Sequence, residues 1–184
     1  AQNVGAGVDT INGNLTSATD VDVYALDLAG GFFSAQTNGP ACCTGTDTQL
    51  FLFDANGFGV AANDDGLGFN SQSSLIQTTL AAGRYYLAVS TFDYDPYSAG
   101  GFIFPDFQYC CNQPTVGATG PGGSSSLLGW GVGPLGTGSG QQPGAYSVTL
   151  NQVTVPEPGT LALFGAGLLM VGLSMRRRAA NTLR

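Results

Sequence analysis

The sequence predicts a mainly β protein, an antiparallel β-sandwich or jelly roll followed by one hydrophobic C-terminal α-helix. Three observations carry that expectation. Short period-two stretches recur through the first hundred residues, turn-forming pairs separate them, and no helical pattern occurs before residue 155. The 184 residues include 29 Gly, and a hydrophobic content of 43% suits one folded domain of ordinary size.

Residues 20–28, DVDVYALDL, alternate so that Tyr24, Leu26 and Leu28 share one face. Further strands are predicted at Phe32–Thr37, Gln49–Phe53, Gly59–Ala62, Ser74–Leu80 and Arg84–Phe92, with Ala145–Val153 as the closing strand. Their separators are Gly30-Gly31, Asn56-Gly57, Asn63-Asp64-Asp65-Gly66 and Ala82-Gly83, all residues that enter tight turns at little steric cost. An insert at 96–144 interrupts the pattern, and its Gly/Ser/Pro-rich part from Gly117 to Gly144 has the composition of a flexible linker. Phe102, Phe104, Phe107, Tyr109 and Trp130 lie in or beside this insert, outside any periodic strand. They form a candidate contact surface with three readings: a sugar-stacking platform, a patch that docks a neighbouring subunit, or an insert folded back on its own sandwich.

Charge narrows the function. Residues 1–155 hold eleven Asp against the single base Arg84, a balance of −10, and the chain has no Lys and no His. Such a surface repels phosphate backbones, so no nucleic-acid partner is expected, and it suits divalent cations. Without His there is no Ser-His-Asp triad, no Cys-His pair and no His-ligated metal. The only Glu is Glu157, so a glycosidase would need two Asp in its catalytic roles. The expectation is a protein that is not an enzyme.

If the strands between Gln49 and Phe92 form a meander, Asp47, Asn63, Asp64, Asp65, Asp93 and Asp95 fall at one end of the sheet. Carboxylates crowded there repel each other, and a hard dication such as Ca2+ relieves that repulsion through oxygen ligands. The alternative is that Asp and Asn make Asx turns, as they do in most loops. No EF-hand-like loop is present.

Four cysteines occur as the doublets Cys42-Cys43 and Cys110-Cys111. They fit an oxidising compartment and allow three connectivities. A vicinal disulfide is strained, so pairing of one doublet with the other is the first expectation; bridges between subunits and a zinc site are the alternatives. The first residue is Ala rather than Met, from which a removed secretory signal peptide is expected.

The last thirty residues, 155–184, read as a tail. Pro156, Glu157 and Pro158 precede an apolar helix predicted at 160–175, whose 16 residues carry no charge, and Arg176, Arg177 and Arg178 follow. That length is slightly under the roughly 17–25 residues that span a bilayer. The Arg cluster would stay cytoplasmic by the positive-inside rule, leaving residues 1–155 outside. A buried core helix is the alternative. The order Pro-Glu-Pro, Gly-rich apolar helix, Arg cluster resembles the PEP-CTERM sorting signal of exported bacterial proteins. That resemblance implies membrane contact through the helix until an exosortase cuts at the motif, and delivery to the cell surface or extracellular matrix.

Residues 18–95 also resemble a family. The succession DVDVYALDL, DTQLFLFDANG, ANDDG and SLIQTTLAAGRYYLAVS is similar to the bacterial pre-peptidase C-terminal domain. That resemblance implies a small exported jelly-roll sandwich over 1–154 without catalysis of its own; some members bind calcium, polysaccharide or protein fibres. The insert at 96–144 departs from the family's short connection. The expected function is a non-enzymatic structural protein of the cell surface or matrix, self-associating into a filament or other polymer through the aromatic insert, the smooth Gly/Ala helix and the cysteines. The alternative is a calcium-assisted module that binds polysaccharide or matrix polymer.

Overall fold

The computed structural model describes residues 1–38, 46–66, 74–106, 113–133 and 143–154. The chain divides between Val153 and Thr154. The predicted helix at 160–175, the sorting residues Pro156, Glu157, Pro158, Arg176, Arg177 and Arg178, all four cysteines, Phe107 and Tyr109 lie outside the described residues.

Twelve strands are described: β1 (Gln2–Asn3), β2 (Thr10–Leu15), β3 (Val21–Leu28), β4 (Gly31–Asn38), β5 (Thr48–Asp54), β6 (Gly59–Asn63), β7 (Leu75–Leu80), β8 (Gly83–Thr91), β9 (Tyr94–Ser98), β10 (Gly101–Phe102), β11 (Gly129–Val132) and β12 (Gly144–Thr154). A five-stranded sheet, β1-β3-β8-β5-β6, faces a four-stranded sheet, β2-β12-β4-β7; a small third sheet is ordered β10-β9-β11. Among the described residues the protein is mainly β, and no helix there is long and apolar enough to cross a membrane.

The sandwich core follows from strand alternation. Tyr24, Leu26, Leu50, Leu52, Leu87 and Val89 of one sheet meet Ile11, Phe33, Ile76, Tyr146 and Val148 of the other. Removing these side chains from water, at about 25 cal/mol per Å² of apolar surface, is the main force closing the sandwich. Strand β5 departs from simple alternation, because Thr48 to Phe53 are all buried. Leu50 and Leu52 enter the sandwich core, while Phe51 and Phe53 enter a second apolar cluster with Ala62, Ala88, Ile103 and Phe104. A strand covered on both faces reads as a continuous apolar run, which is what LFLF supplies.

The cover on that outer face is the insert, which corrects the linker reading of 117–144 wherever it is described. Ala62 and Val116 exchange backbone hydrogen bonds of 2.9 Å, Leu127 N–H donates to Gly57 O at 2.9 Å, and Gly120 N–H donates to Ile103 O at 3.0 Å. The Gly content serves close approach: a Cβ at Gly122 would collide with the Gly101 carbonyl, and one at Gly123 with the Ala118 carbonyl.

The expected meander is also corrected. Strand β7 pairs with β4 in the other sheet, while β6, β5 and β8 remain neighbours. Ile76 and Leu80 are buried, whereas Gln77 and Thr79 are exposed. Such a one-faced strand fits a sheet with a solvated side and not one buried beneath the insert. The closing strand β12 starts with Gly144 against the Thr46 side chain and runs from there to the far end of its sheet, hydrogen-bonded to β2 on one side and β4 on the other.

Candidate metal centre

The starts and ends of the strands bring the acidic residues to one end of the five-stranded sheet. Thr48 opens β5 opposite Thr91, which closes β8, and Leu50 pairs with Asn63, which closes β6. Asp47 therefore precedes β5 at the edge where Asp64 and Asp65 follow β6 and Asp93 follows β8. Phe92 N–H donates to Asp47 O at 3.0 Å, fixing the β8–β9 turn against the β5 entry. Asp93 then adopts a left-handed φ of 57°, tolerated by Asp better than by most side chains, and places Asp95 on β9 beside it.

Two groups of carboxylates result. Asp47, Asp64 and Asp65 form one and Asp93, Asp95 and Asp106 the other; within each group one oxygen per residue lies within 4.8 Å of its counterparts. Asp64 feels the charges of Asp93 and Asp95 as well as those of its own group, so the two are electrostatically continuous. Asp64 is 1% exposed. Burial, then Asp65, Asp47, Asp95 and Asp93 in that order, hold its pKa well above the ordinary carboxylate range. Burial and then Asp65 push Asp47 up to about 7. Asp95 also rises to about 7, through burial, Asp93 and Asp106, against a hydrogen bond from Gln49 that lowers it. Burial raises the more exposed Asp106.

Several oxygens in this end are buried with no hydrogen-bond partner among the described residues: Oδ1 of Asp47, Asp64 and Asp95, and Oε1 of Gln49. Burying a polar atom without a partner costs on the order of 1–3 kcal/mol, more for a charge. Arg84, the only base before the tail, is at the opposite end of β8, bonded to Asp27 at 2.6 and 2.9 Å. Carboxylate and amide oxygens with no cationic side chain beside them among the described residues form a hard donor set that fits Ca2+. Asp47, Asp64, Asp65, Asp93, Asp95 and Asp106 would supply the charge, and Gln49 Oε1 a neutral ligand.

Asn63 also holds the insert in place. Its side-chain amide donates to Gln113 O at 2.8 Å, and Gln113 N–H donates to Asp65 O at 2.9 Å, so it fastens the returning insert to the acidic loop. Asp106 and Gln49 were not in the predicted set. Gln49 carried a legible signal, a polar side chain alternating with Phe51 and Phe53 in an apolar run; Asp106 carried none. Gln113 belongs to this end through its bond to Asp65 O, and Thr46 as the residue before Asp47.

The expected contact surface is in part consumed internally. Phe104 is 4% exposed, with its ring 5.5 Å from Phe51 and 5.9 Å from Phe53. Trp130 meets the same two rings edge-on and stacks on Tyr94 at 6.5 Å. Phe102 is half-buried. The exposed large apolar residues of the insert sheet and its approach are instead Tyr97, Leu128 and Val132.

Fold and tail together define an exported β-sandwich protein. Residues 154–178 match the PEP-CTERM protein-sorting motif, which implies processing by an exosortase during export and a destination on the cell surface or outside the cell. Among solved structures, the chain is similar to the pre-peptidase C-terminal domain of collagenase from Bacillus anthracis (TM-score 0.45, 13% identity, 82% of this chain and 93% of that one). It is also similar to PliG of Aeromonas hydrophila, a periplasmic inhibitor of g-type lysozyme (TM-score 0.38, 12% identity, 82% and 95%). No curated protein sequence matches it.

Proposed function

We propose that this chain is a non-enzymatic exported surface module whose acidic end holds calcium, the ion tying the insert to the sandwich. The observation that carries the reading is the convergence of carboxylates from the β5 entry, the β6 exit, the β8–β9 turn and the segment after β10 around buried oxygens without partners. Loops at a sheet end are weakly held by backbone pairing alone, and a multivalent ion with 6–8 oxygen ligands cross-links them. Apo protein carries the repulsion of the cluster; ion binding replaces it with attraction, so the ion acts as a structural ligand that stabilises the native state by mass action. Oxygen-only ligation at the ends of strands suits calcium better than zinc, whose structural sites use Cys and His.

The test is calorimetric titration of the chelator-treated full chain with CaCl2, paired with thermal unfolding in calcium and in EGTA. Saturable heat and a higher Tm in calcium are expected. Absence of both would sink the reading.

A further inference from the structure

The edges of the two facing sheets are finished differently. β6 exchanges backbone hydrogen bonds with the insert through Ala62 and Val116. β7 gives the N–H of Gln77 to Oγ1 of Thr115 at 3.4 Å. β1 is only two residues long. The six residues of β2, at the end of the four-stranded sheet, meet no strand among the described residues along their outer edge. Leu150 N–H donates to Asp9 O at 2.8 Å, which puts Asp9, Ile11, Gly13 and Leu15 in the hydrogen-bonded pairs with β12. The N–H and C=O groups of Thr10, Asn12 and Asn14, all exposed residues, therefore point away from the sheet. This open run is bounded at both ends: Val8 N–H donates to Gly5 O at 3.4 Å, and Thr16 N–H to Asp20 Oδ2 at 2.7 Å.

An open edge is a template for a further strand, and proteins blunt such edges with Lys, Pro or a bulge. The sequence TINGNL has neither Lys nor Pro, and its register with β12 runs without a shift. The edge is also complementary to itself. A two-fold axis at Asn12 sets Asn12 opposite Asn12 of a second copy, and Thr10 opposite Asn14 of that copy. Each such pair exchanges two backbone hydrogen bonds, so every outward group of the three residues finds a partner. Ile11 then faces Gly13 of the second copy, Asp9 faces its Leu15, and the exposed Val8 faces its Thr16. No two carboxylates stand opposite each other. On a chain with a balance of −10 before its tail, this uncharged run lets two copies meet without setting like charges together.

We propose that the outer edge of β2 pairs antiparallel with β2 of a second copy of this chain, joining the two four-stranded sheets into one across a two-fold axis at Asn12. The contact is isologous, so it closes as a dimer and does not grow into a filament. Its strength comes from main-chain hydrogen bonds over a small area, which makes it a weak, reversible contact. Salt screens the repulsion between two acidic copies and so strengthens the pairing. The pairing needs no ion at the acidic end.

The experiment is hydrogen–deuterium exchange of the full chain in EGTA at about 10 µM and about 500 µM, a span over which a weak contact fills. It is read by mass on fragments that contain β2. At the higher concentration the amides of Thr10, Asn12 and Asn14 should exchange at least about threefold more slowly, and the slowing should grow with NaCl. Association through the apolar tail leaves these amides unchanged. Asn12→Pro removes the donor at the two-fold axis without costing β12 a bond, and should abolish the slowing at Thr10 and Asn14. Asn12→Lys and Asn12→Asp each set like charges opposite one another and should abolish it too; an equimolar mixture of the two should restore it. Exchange in the wild type that ignores concentration overturns the dimer. Slowing that survives in both charged variants, or a mixture that fails to restore it, overturns the pairing at Asn12.

Discussion

The indole of Trp130 meets the ring of Phe51 edge-on, with centroids 5.4 Å apart and planes at 72°. One contact thereby joins a Gly-rich insert to the middle of β5, and Phe53, 6.2 Å from the same indole, extends it. Trp130→Ala is expected to destabilise the protein by about 2–4 kcal/mol, at or just below the range for large core aromatics because the indole is only half-buried. Urea unfolding followed by circular dichroism measures it. A loss under about 0.5 kcal/mol, the level of an ordinary surface change, would mean that packing does not hold the insert down.

Asp64→Asn keeps the shape of a fully buried side chain and removes its charge. In EGTA the variant should melt several degrees above the wild type, because the repulsion from Asp65, Asp47, Asp95 and Asp93 is gone. In calcium the order should reverse. A variant less stable than the wild type in both conditions would show that the carboxylate is satisfied without an ion.

Metal-free protein should gain stability as pH falls. Asp47 and Asp95 titrate near 7 in the folded chain, against about 3.9 when unfolded. Between these values the native state holds protons that the unfolded chain has released, so unfolding free energy declines as pH rises. Asp64 acts in the same direction. The lowered pKa values of Asp20, bonded to Thr16, and of Asp27, bonded to Arg84, oppose this only at lower pH. Thermal scans from pH 8 to pH 5 in EGTA should therefore show a rising Tm, and calcium should flatten or invert the trend. A Tm that falls monotonically over that range in EGTA contradicts the assignment of raised carboxyls.

Tyr146 donates to Asp22 at 2.6 Å and shares a 2.7 Å hydrogen bond with Tyr24, stapling β12 to β3 across the sandwich. Burial raises both phenols. Tyr146→Phe should cost about 1–3 kcal/mol by leaving its buried partners unmet. Spectrophotometric titration supplies a second check: two of the seven tyrosines should ionise only when alkali unfolds the chain. Seven equivalent phenols near pH 10 would rule this out.

Much of the sandwich was legible because burial on one face leaves a period of two. DVDVYALDL, TQLFLFD and RYYLAVST all became strands, and the shared end of Asp47, Asp64, Asp65, Asp93 and Asp95 followed from strand polarity even though β7 changed sheets. The insert was not legible for a physical reason. Composition reports Gly as flexibility, whereas Gly122, Gly123 and Gly133 are sites where another group takes the space of a side chain. Asp106 joins the cluster through a fold-back that no local pattern encodes. Strand β2, TINGNL, was missed because Gly13 and two Asn dilute its alternation; Gly13 is there because the hydroxyls of Tyr146 and Tyr24 occupy the space of its Cβ.

The course of β12 sets how the molecule carries load. Gly144 begins at the acidic end and Thr154 closes the strand ten residues later, about 34 Å along the sheet. Tension applied between that end and the C-terminal end of the strand would run along β12 itself. Interior to its sheet, the strand meets that tension with its hydrogen bonds to β2 and β4 sheared together instead of opened one at a time. A strand placed in this way shares a load along its axis among all of its hydrogen bonds.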